Sequence, residues 1–234
     1  MMVDERVPSS PSATVDDSPG GTRMILAMGG IGLIAAVLIV MTYHATFPVI
    51  ERNKAVALER AIFEVVPGAT SKKTFARAGG ELRALGAGED AVETYYACYG
   101  EGGELVGVAV EASGQGFQDV IRVLYGYAPG RGCVVGMKVL ESKETPGLGD
   151  KIMKDPRFRA NFDALDARLG EDGSTLAHAI ELAKKGEKTD AWQVEAITGA
   201  TISSRAIASI LRESTAVAVP LIRKNMGVLE GGVE

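Results

Sequence analysis

Between Met24 and Phe47 the chain runs for 24 residues, MILAMGGIGLIAAVLIVMTYHATF, without a single Asp, Glu, Lys or Arg. As a helix this stretch is about 36 Å long at ~1.5 Å per residue, which exceeds the ~30 Å hydrocarbon core of a bilayer. A buried helix of a soluble domain rarely stays apolar for so long. A cleaved signal peptide has a shorter apolar region ending in small residues, whereas Tyr43 stands where an A-x-A site ending at Ala45 needs a small side chain. The stretch therefore reads as a retained, single-pass membrane helix over residues 24–47. Arg6 and Arg23 precede it while Arg52, Lys54 and Arg60 follow it, so the positive-inside count does not set its direction. Gly29, Gly32 and Ala36 fall on one helical face, which suits either close packing of a second helix or the ordinary glycine content of membrane helices.

The span divides the remainder. Residues 1–23 are rich in Pro, Ser and Asp without hydrophobic periodicity, the composition of a disordered tail. Residues 48–68 carry apolar side chains at helical spacing as far as Ile62 and Phe63 and stop at Pro67-Gly68, a helix-ending pair, so they read as a helical stem. Residues 69–227 then form a domain, and 228–234 a short C-terminal tail. Within the domain VETYYACYG, GELVGVAVEAS, DVIRVLYGY and CVVGMKVLES are short runs rich in Val, Tyr and Ile, separated by Gly-rich turns, which predicts an antiparallel meander. Helical spacing is expected over Lys151–Leu169, interrupted at Pro156, over Thr175–Lys185 and over Ser203–Lys224, with one more strand in AWQVEAI. Strands followed by helices give an α+β fold class.

Composition removes several function classes. The formal net charge is −5, with no dense Lys/Arg block, so the footprint of a nucleic-acid binder is missing and no nucleic acid is expected as a partner. The two histidines, His44 and His178, stand at the end of the apolar stretch and in a helix-like run, which argues against a Ser-His-Asp hydrolase. Cys98 and Cys133 form no C-x-x-C pair, so no metal site is signalled. They read as small buried apolar residues, with a single bridge left open for a domain in an oxidising compartment.

Two stretches stand out from this background. In AITGATISS, residues 196–204, four hydroxyls surround Gly199 and Ala200 between a strand-like and a helix-like run. One helix cap needs one hydroxyl; small residues flanked by several hydroxyls leave room for another group to approach. A helix starting near Ser203 would bring unpaired amides and the positive end of its dipole to Thr201, a setting that stabilises a phosphate. In KETPGLGD, Lys143–Asp150, Pro146 and two glycines mark a tight turn. Leu148 is then either tucked into the core or left at the tip to meet a partner.

Taken together, TGAT followed by ISS and ETPGLGDKI after a strand pair resemble the FMN-binding domain of the G subunit of the Rnf electron-transport complex, and the similar C subunit of the sodium-pumping NADH:quinone reductase. The resemblance runs from about Thr22 to Gly227 and includes the single N-terminal span and the GQGFQDVIRVLYGY meander; GDKI after ETPGL is closer to the Rnf protein. It implies that residues 69–227 are an FMN-binding domain and that FMN is covalently attached to Thr201 through a phosphoester, making Thr201 a modified residue and not a catalytic one. It further implies that Thr198, Gly199, Ala200 and Ser203 surround the phosphate, and that Glu144, Thr145, Gly147, Leu148 and Gly149 approach the isoalloxazine ring. A separate flavin transferase would attach FMN from FAD with release of AMP. The chain would relay electrons among the membrane and redox subunits of an ion-translocating complex in the cytoplasmic membrane, with the flavin domain on the periplasmic or extracellular side. Redox chemistry carried by a flavin needs no catalytic side chain and no metal. The attachment motif of the family usually has Asp three residues before the first hydroxyl, where this chain has Glu195. The quinone-reductase protein and a non-redox, membrane-anchored binding module are the two alternatives.

Overall fold

The computed structural model describes residues 20–231 apart from 87, 88, 90 and 92; the expected tail over residues 1–19 and the last three residues lie outside that range. Residues up to Asn53 and residues from Lys54 onward form two compact units. In the first, the apolar stretch is helical, as part of α1 (Gly21–Val65). An 18-residue window of α1 reaches a mean hydropathy of 2.7 with none of it buried, so this helix is long and apolar enough to cross a membrane. Pro48 lies inside α1 without ending it.

The second unit is built on β1 (Ser71–Ala78), β2 (Glu81–Ala84), β3 (Thr94–Tyr99), β4 (Leu105–Gln115), β5 (Val120–Ala128), β6 (Cys133–Glu141) and β7 (Leu165–Asp166). They form one seven-stranded sheet in the order β2-β1-β3-β4-β5-β6-β7, with every neighbouring pair antiparallel. Alternate residues of a strand face opposite sides, and both sides here are covered. Tyr95, Ala97, Tyr99, Val110, Val123 and Tyr125 join one buried cluster with Ile207, Leu211, Val219 and Ile222 of α4 (Thr201–Lys224). Tyr96, Cys98, Ala109 and Leu124, one residue out of phase, join a second cluster with Ala61, Ile62 and Val65 at the end of α1. A sheet buried on both faces explains why its central strands are apolar almost throughout.

Each large aliphatic side chain buried from α4 contributes ~1.5–3 kcal/mol, and polar contacts fix the register of the helix on the sheet. The Tyr125 hydroxyl lies 2.8 Å from Ser214 Oγ. Asn225, just past the helix, accepts from the Leu82 amide of β2 at 3.1 Å and donates to the Leu221 carbonyl at 2.8 Å. On the opposite face a Cβ on Gly136 would lie 2.6 Å from the Val65 carbonyl oxygen; Gly136 is paired across the sheet with Gly126, and the two let the α1 backbone settle directly on β5 and β6.

Three expectations are corrected between β6 and α4. Lys151–Leu169 is not one helix but α2 (Lys151–Lys154), α3 (Pro156–Arg159), a short 3-10 turn and β7. Pro156 supplies no N–H and disfavours helix in the residue before it, so Asp155 becomes the cap of α3, accepting from the Arg157 amide at 2.9 Å. Thr175–Lys185 is not helical either. Asp172 gathers the amides of Ser174 and Thr175 at 3.1 and 3.2 Å into a turn, after which β8 (Glu181–Ala183) pairs in parallel with β9 (Gln193–Glu195). The third helix begins at Thr201, two residues before its expected start, and is followed by α5 (Met226–Glu230). Cys98 and Cys133 are both buried and free; they belong to separate clusters, which corrects the open possibility of a bridge.

Candidate functional site

The two outstanding stretches, more than fifty positions apart, meet at the start of α4. Glu144 makes the junction. Its side chain is buried, and its Oε2 accepts from the Ser203 hydroxyl at 2.5 Å. Its Oε1 accepts from the amides of Phe117 at 2.8 Å and Gln118 at 3.2 Å, on the turn between β4 and β5. One carboxylate thus ties together GQGFQD, ETPGLG and the first turn of α4. Gly116 and Gly149 make room for it: a Cβ on either would sit 2.5 Å from a carboxylate oxygen of Glu144.

The loop after Glu144 is held by its own polar groups. Leu148 donates to the Thr145 carbonyl at 3.1 Å, and Asp150 Oδ1 accepts from the Gly147 amide at 2.7 Å. The Lys154 ammonium, 2.6 Å from Asp150 Oδ2, is the main reason the Asp150 carboxyl titrates below the usual aspartate value. Thr145 is half-buried and Gly149 buried, while Gly147 and Leu148 face solvent. Leu148 is 53% exposed, so of its two readings the core one is excluded. Phe117, 61% exposed, and Ile202, 51% exposed, are further large apolar side chains in solvent on the tied elements.

The hydroxyl cluster separates into two pairs. Ser204 is buried, donating to the Ala200 carbonyl at 2.9 Å and accepting from the Ile197 amide at 3.1 Å. Ser203, whose hydroxyl the family resemblance puts near a phosphate, instead spends it on Glu144. Thr198 and Thr201 are exposed. The residue that caps α4 is Ala200, and no side chain accepts from the first amides of the helix. The first helical bond runs from the Ser204 amide to the Ala200 carbonyl, which leaves the N–H groups of Thr201, Ile202 and Ser203 without an acceptor among the described residues. Hydroxyls are abundant here, yet none serves the capping role that would be their ordinary explanation.

Gly199, at φ +80°, turns the chain into this helix. A Cβ at that position would lie 3.7 Å from Lys151 Nζ, so a cation from α2 reaches the turn that leads into this helix. In the sequence Lys151 carries no signal beyond its place as the K of ETPGLGDKI. Glu195 is directed elsewhere: its carboxylate accepts from the Gly186 amide at 2.5 Å. The donor set at the start of α4 is therefore three free amides, an ammonium and the exposed Thr201 hydroxyl, bordered by exposed apolar side chains. These groups fit a phosphate carrying a flat, largely apolar ring. Two larger hollows, about 610 and 650 Å³, share Arg77, Ala91 and Glu93 near the β1–β2 end and include none of these residues.

Comparison with known proteins agrees with that chemistry. Residues 116–216 match the family model described as an FMN-binding domain. The G subunit of the ion-translocating oxidoreductase complex of Methanosarcina acetivorans is 30% identical over 200 residues, covering 86% of this chain and 95% of the relative. This chain belongs to the family of G subunits of ion-translocating oxidoreductase complexes. The corresponding G subunit of Cereibacter sphaeroides is 32% identical over 62% of this chain and 63% of its own. The G subunit of the proton-translocating ferredoxin:NAD(+) oxidoreductase complex of Clostridium ljungdahlii is 26% identical over 77% of this chain and 82% of its own. In fold, this member of the G-subunit family is similar to the crystal structure of Shewanella oneidensis NqrC, with a TM-score of 0.56 at 18% identity over 77% of this chain and 97% of the other.

Proposed function

We propose that this chain is the membrane-anchored flavoprotein component of an Rnf-type ion-translocating oxidoreductase complex, carrying FMN esterified through its phosphate to Thr201. The observation that carries the reading is the start of α4. An exposed hydroxyl stands on the first helical residue, beside three amides that no side chain caps, inside the segment that matches an FMN-binding family model.

The residues divide the work. Thr201 supplies the ester oxygen, the amides of Ile202 and Ser203 face the remaining phosphate oxygens, and Thr198 stands within the same exposed turn. Gly199 and Ala200 keep the approach open. Glu144 aligns the first turn of α4 with the ETPGLG loop, so that Thr145, Gly147 and Gly149 present backbone to the ring and Leu148 an apolar contact. When bound, the flavin ring supplies the electron-carrying chemistry; the protein holds it, sets its surroundings and leaves Thr201 open to a separate flavin transferase. The partners are the membrane and redox subunits of the complex. Residues 24–47 form the anchor, 48–68 the stem and 69–227 the flavin domain, on the side of the membrane away from the cytoplasm. The quinone-reductase alternative has weaker support, since that likeness is one of fold.

The decisive experiment is intact-protein mass after co-expression with a flavin transferase. The wild-type chain gains the mass of one FMN less water. Thr201→Ala gains none, because alanine offers no oxygen, and Thr201→Ser retains part of it. Thr201 is exposed, so its substitution by Ala costs at most ~1 kcal/mol and the variant stays folded. An adduct persisting in Thr201→Ala overturns the assignment. For the side of the membrane, an alkaline phosphatase fusion at Glu234 is active and a cytoplasmic reporter at the same point is silent; the reverse pattern refutes the placement.

A further inference from the structure

We infer that Lys151 is the positioning cation of the Thr201 phosphoester: its ammonium pairs with the phosphate oxygens across Gly199 and holds the ester against the start of α4. The inference rests on the reading of Thr201 as the attachment residue. The two lysines of α2 lie in different surroundings. Lys154 is engaged, with its ammonium 2.6 Å from Asp150 Oδ2. Lys151 is half-buried, and no described carboxylate oxygen lies within 4.0 Å of its Nζ, although its charge still acts at longer range on the Asp150 carboxyl. Its backbone is fixed, since the Lys151 amide donates to the Leu148 carbonyl at 3.3 Å, so the loop that presents Leu148 also aims this side chain.

The aim is toward Gly199. Nζ stands 3.7 Å from where a Cβ would be at that residue, two positions before Thr201 and on the turn leading to the uncapped amides. A phosphodiester on Thr201 carries one negative charge at neutral pH. The amides and the helix dipole offset part of it. The Lys151 ammonium, reaching over a residue without a side chain, supplies the rest, and a Cβ at position 199 would stand 3.7 Å from its Nζ. This explains why a lysine in the ETPGLGDK loop should matter to a phosphate on another element.

The test compares Lys151→Gln, Lys151→Arg and Lys154→Gln in the full chain, co-expressed with a flavin transferase. It reads the rate at which the FMN mass appears and the ³¹P resonance of the attached phosphodiester. Lys151→Gln slows attachment about five- to tenfold, the scale of one half-exposed charge-assisted hydrogen bond, and shifts the resonance. Lys151→Arg keeps both near wild type. Lys154→Gln, which removes the Asp150 pair, leaves the resonance in place. A wild-type rate and resonance in Lys151→Gln overturns the inference. So does slowed attachment with an unshifted resonance, because Lys151 then contacts the transferase and not the ester. A wild-type chain that acquires no FMN mass overturns the proposed function itself, which separates the two failures.

Discussion

Removing the carboxylate of Glu144 should loosen three segments at once, and the structure gives the scale. In Glu144→Ala the Ser203 hydroxyl, 3% exposed, loses its acceptor at 2.5 Å, and a buried polar group left unpaired costs ~1–3 kcal/mol. The amides of Phe117 and Gln118 lose acceptors at 2.8 and 3.2 Å, but they are only partly buried. Water recovers most of that loss, leaving ~0.5 kcal/mol each. The total is ~2–4 kcal/mol, or a fall in Tm of roughly 4–16 °C for a domain of this size. Glu144→Gln behaves differently. Its carbonyl oxygen still accepts from both amides, and its amide group donates to the Ser203 oxygen, so only the charge assistance is lost, ~1 kcal/mol or ~2–4 °C. Calorimetric melting of the full chain in detergent at neutral pH measures both. A Glu144→Ala variant within ~1 °C of wild type, or a Glu144→Gln variant as damaged as Glu144→Ala, would falsify the idea that this carboxylate joins the segments.

Two further predictions concern the ETPGLG loop. Leu148→Asp should leave Tm nearly unchanged, because Leu148 is 53% exposed. It should lower the flavin reduction potential by ~40 mV per electron, since a screened carboxylate beside the ring disfavours added negative charge by ~1 kcal/mol; an unchanged potential in a redox titration places the loop away from the ring. Asp150 has a folded-state pKa depressed chiefly by Lys154 and also by the Gly147 amide and the Lys151 charge. Its stabilising contribution is therefore present above the ordinary aspartate range and lost as pH falls below about 4 through the folded value. The slope of Tm against pH in that window should flatten in Asp150→Asn, and an identical slope in variant and wild type excludes the pairing.

The parts legible in the sequence share a physical property: their pattern is set by their own residues. The long apolar helix needs only uninterrupted apolarity. Strands β3 to β6 are dense in Val, Tyr and Ile because both sheet faces are buried, as the split of Tyr95 and Tyr96 between two clusters shows. Strands β1 and β2 carry no such signal. ELRA is the edge strand and SKKTFARA lies next to it, where charged residues are tolerated and only Phe75, Ala76 and Leu82 are buried. The segment around β8 misleads for the opposite reason. Leu176, Ala179, Ile180 and Ala183 fit a helical spacing, but tertiary pairing with β9 and the Asp172 turn decide its conformation. At the site, the stretches that matter could be found one by one, whereas the bonds from Glu144 to Ser203, Phe117 and Gln118 and the approach of Lys151 to Gly199 exist only after folding.

The shape of the site bears on why a tether would be useful. Pockets that hold a drug-sized ligand by burial alone enclose about 300–1,000 Å³. The hollow that includes Thr198, between Phe158, Lys185 and Ile197, measures about 150 Å³, and the Leu148, Phe117 and Ile202 side chains stand out into solvent. Such a surface offers a flavin ring an apolar contact on one side. An ester at Thr201 removes the need to enclose the ring, because the ligand no longer has to be retained by buried area. It also permits the ring to stay open toward a neighbouring redox protein, which a deep pocket would prevent. With the proposed ester at Thr201, the exposed apolar residues on the tied elements and the small hollow would belong to one design, in which the covalent bond takes over retention and the open surface is kept for electron transfer.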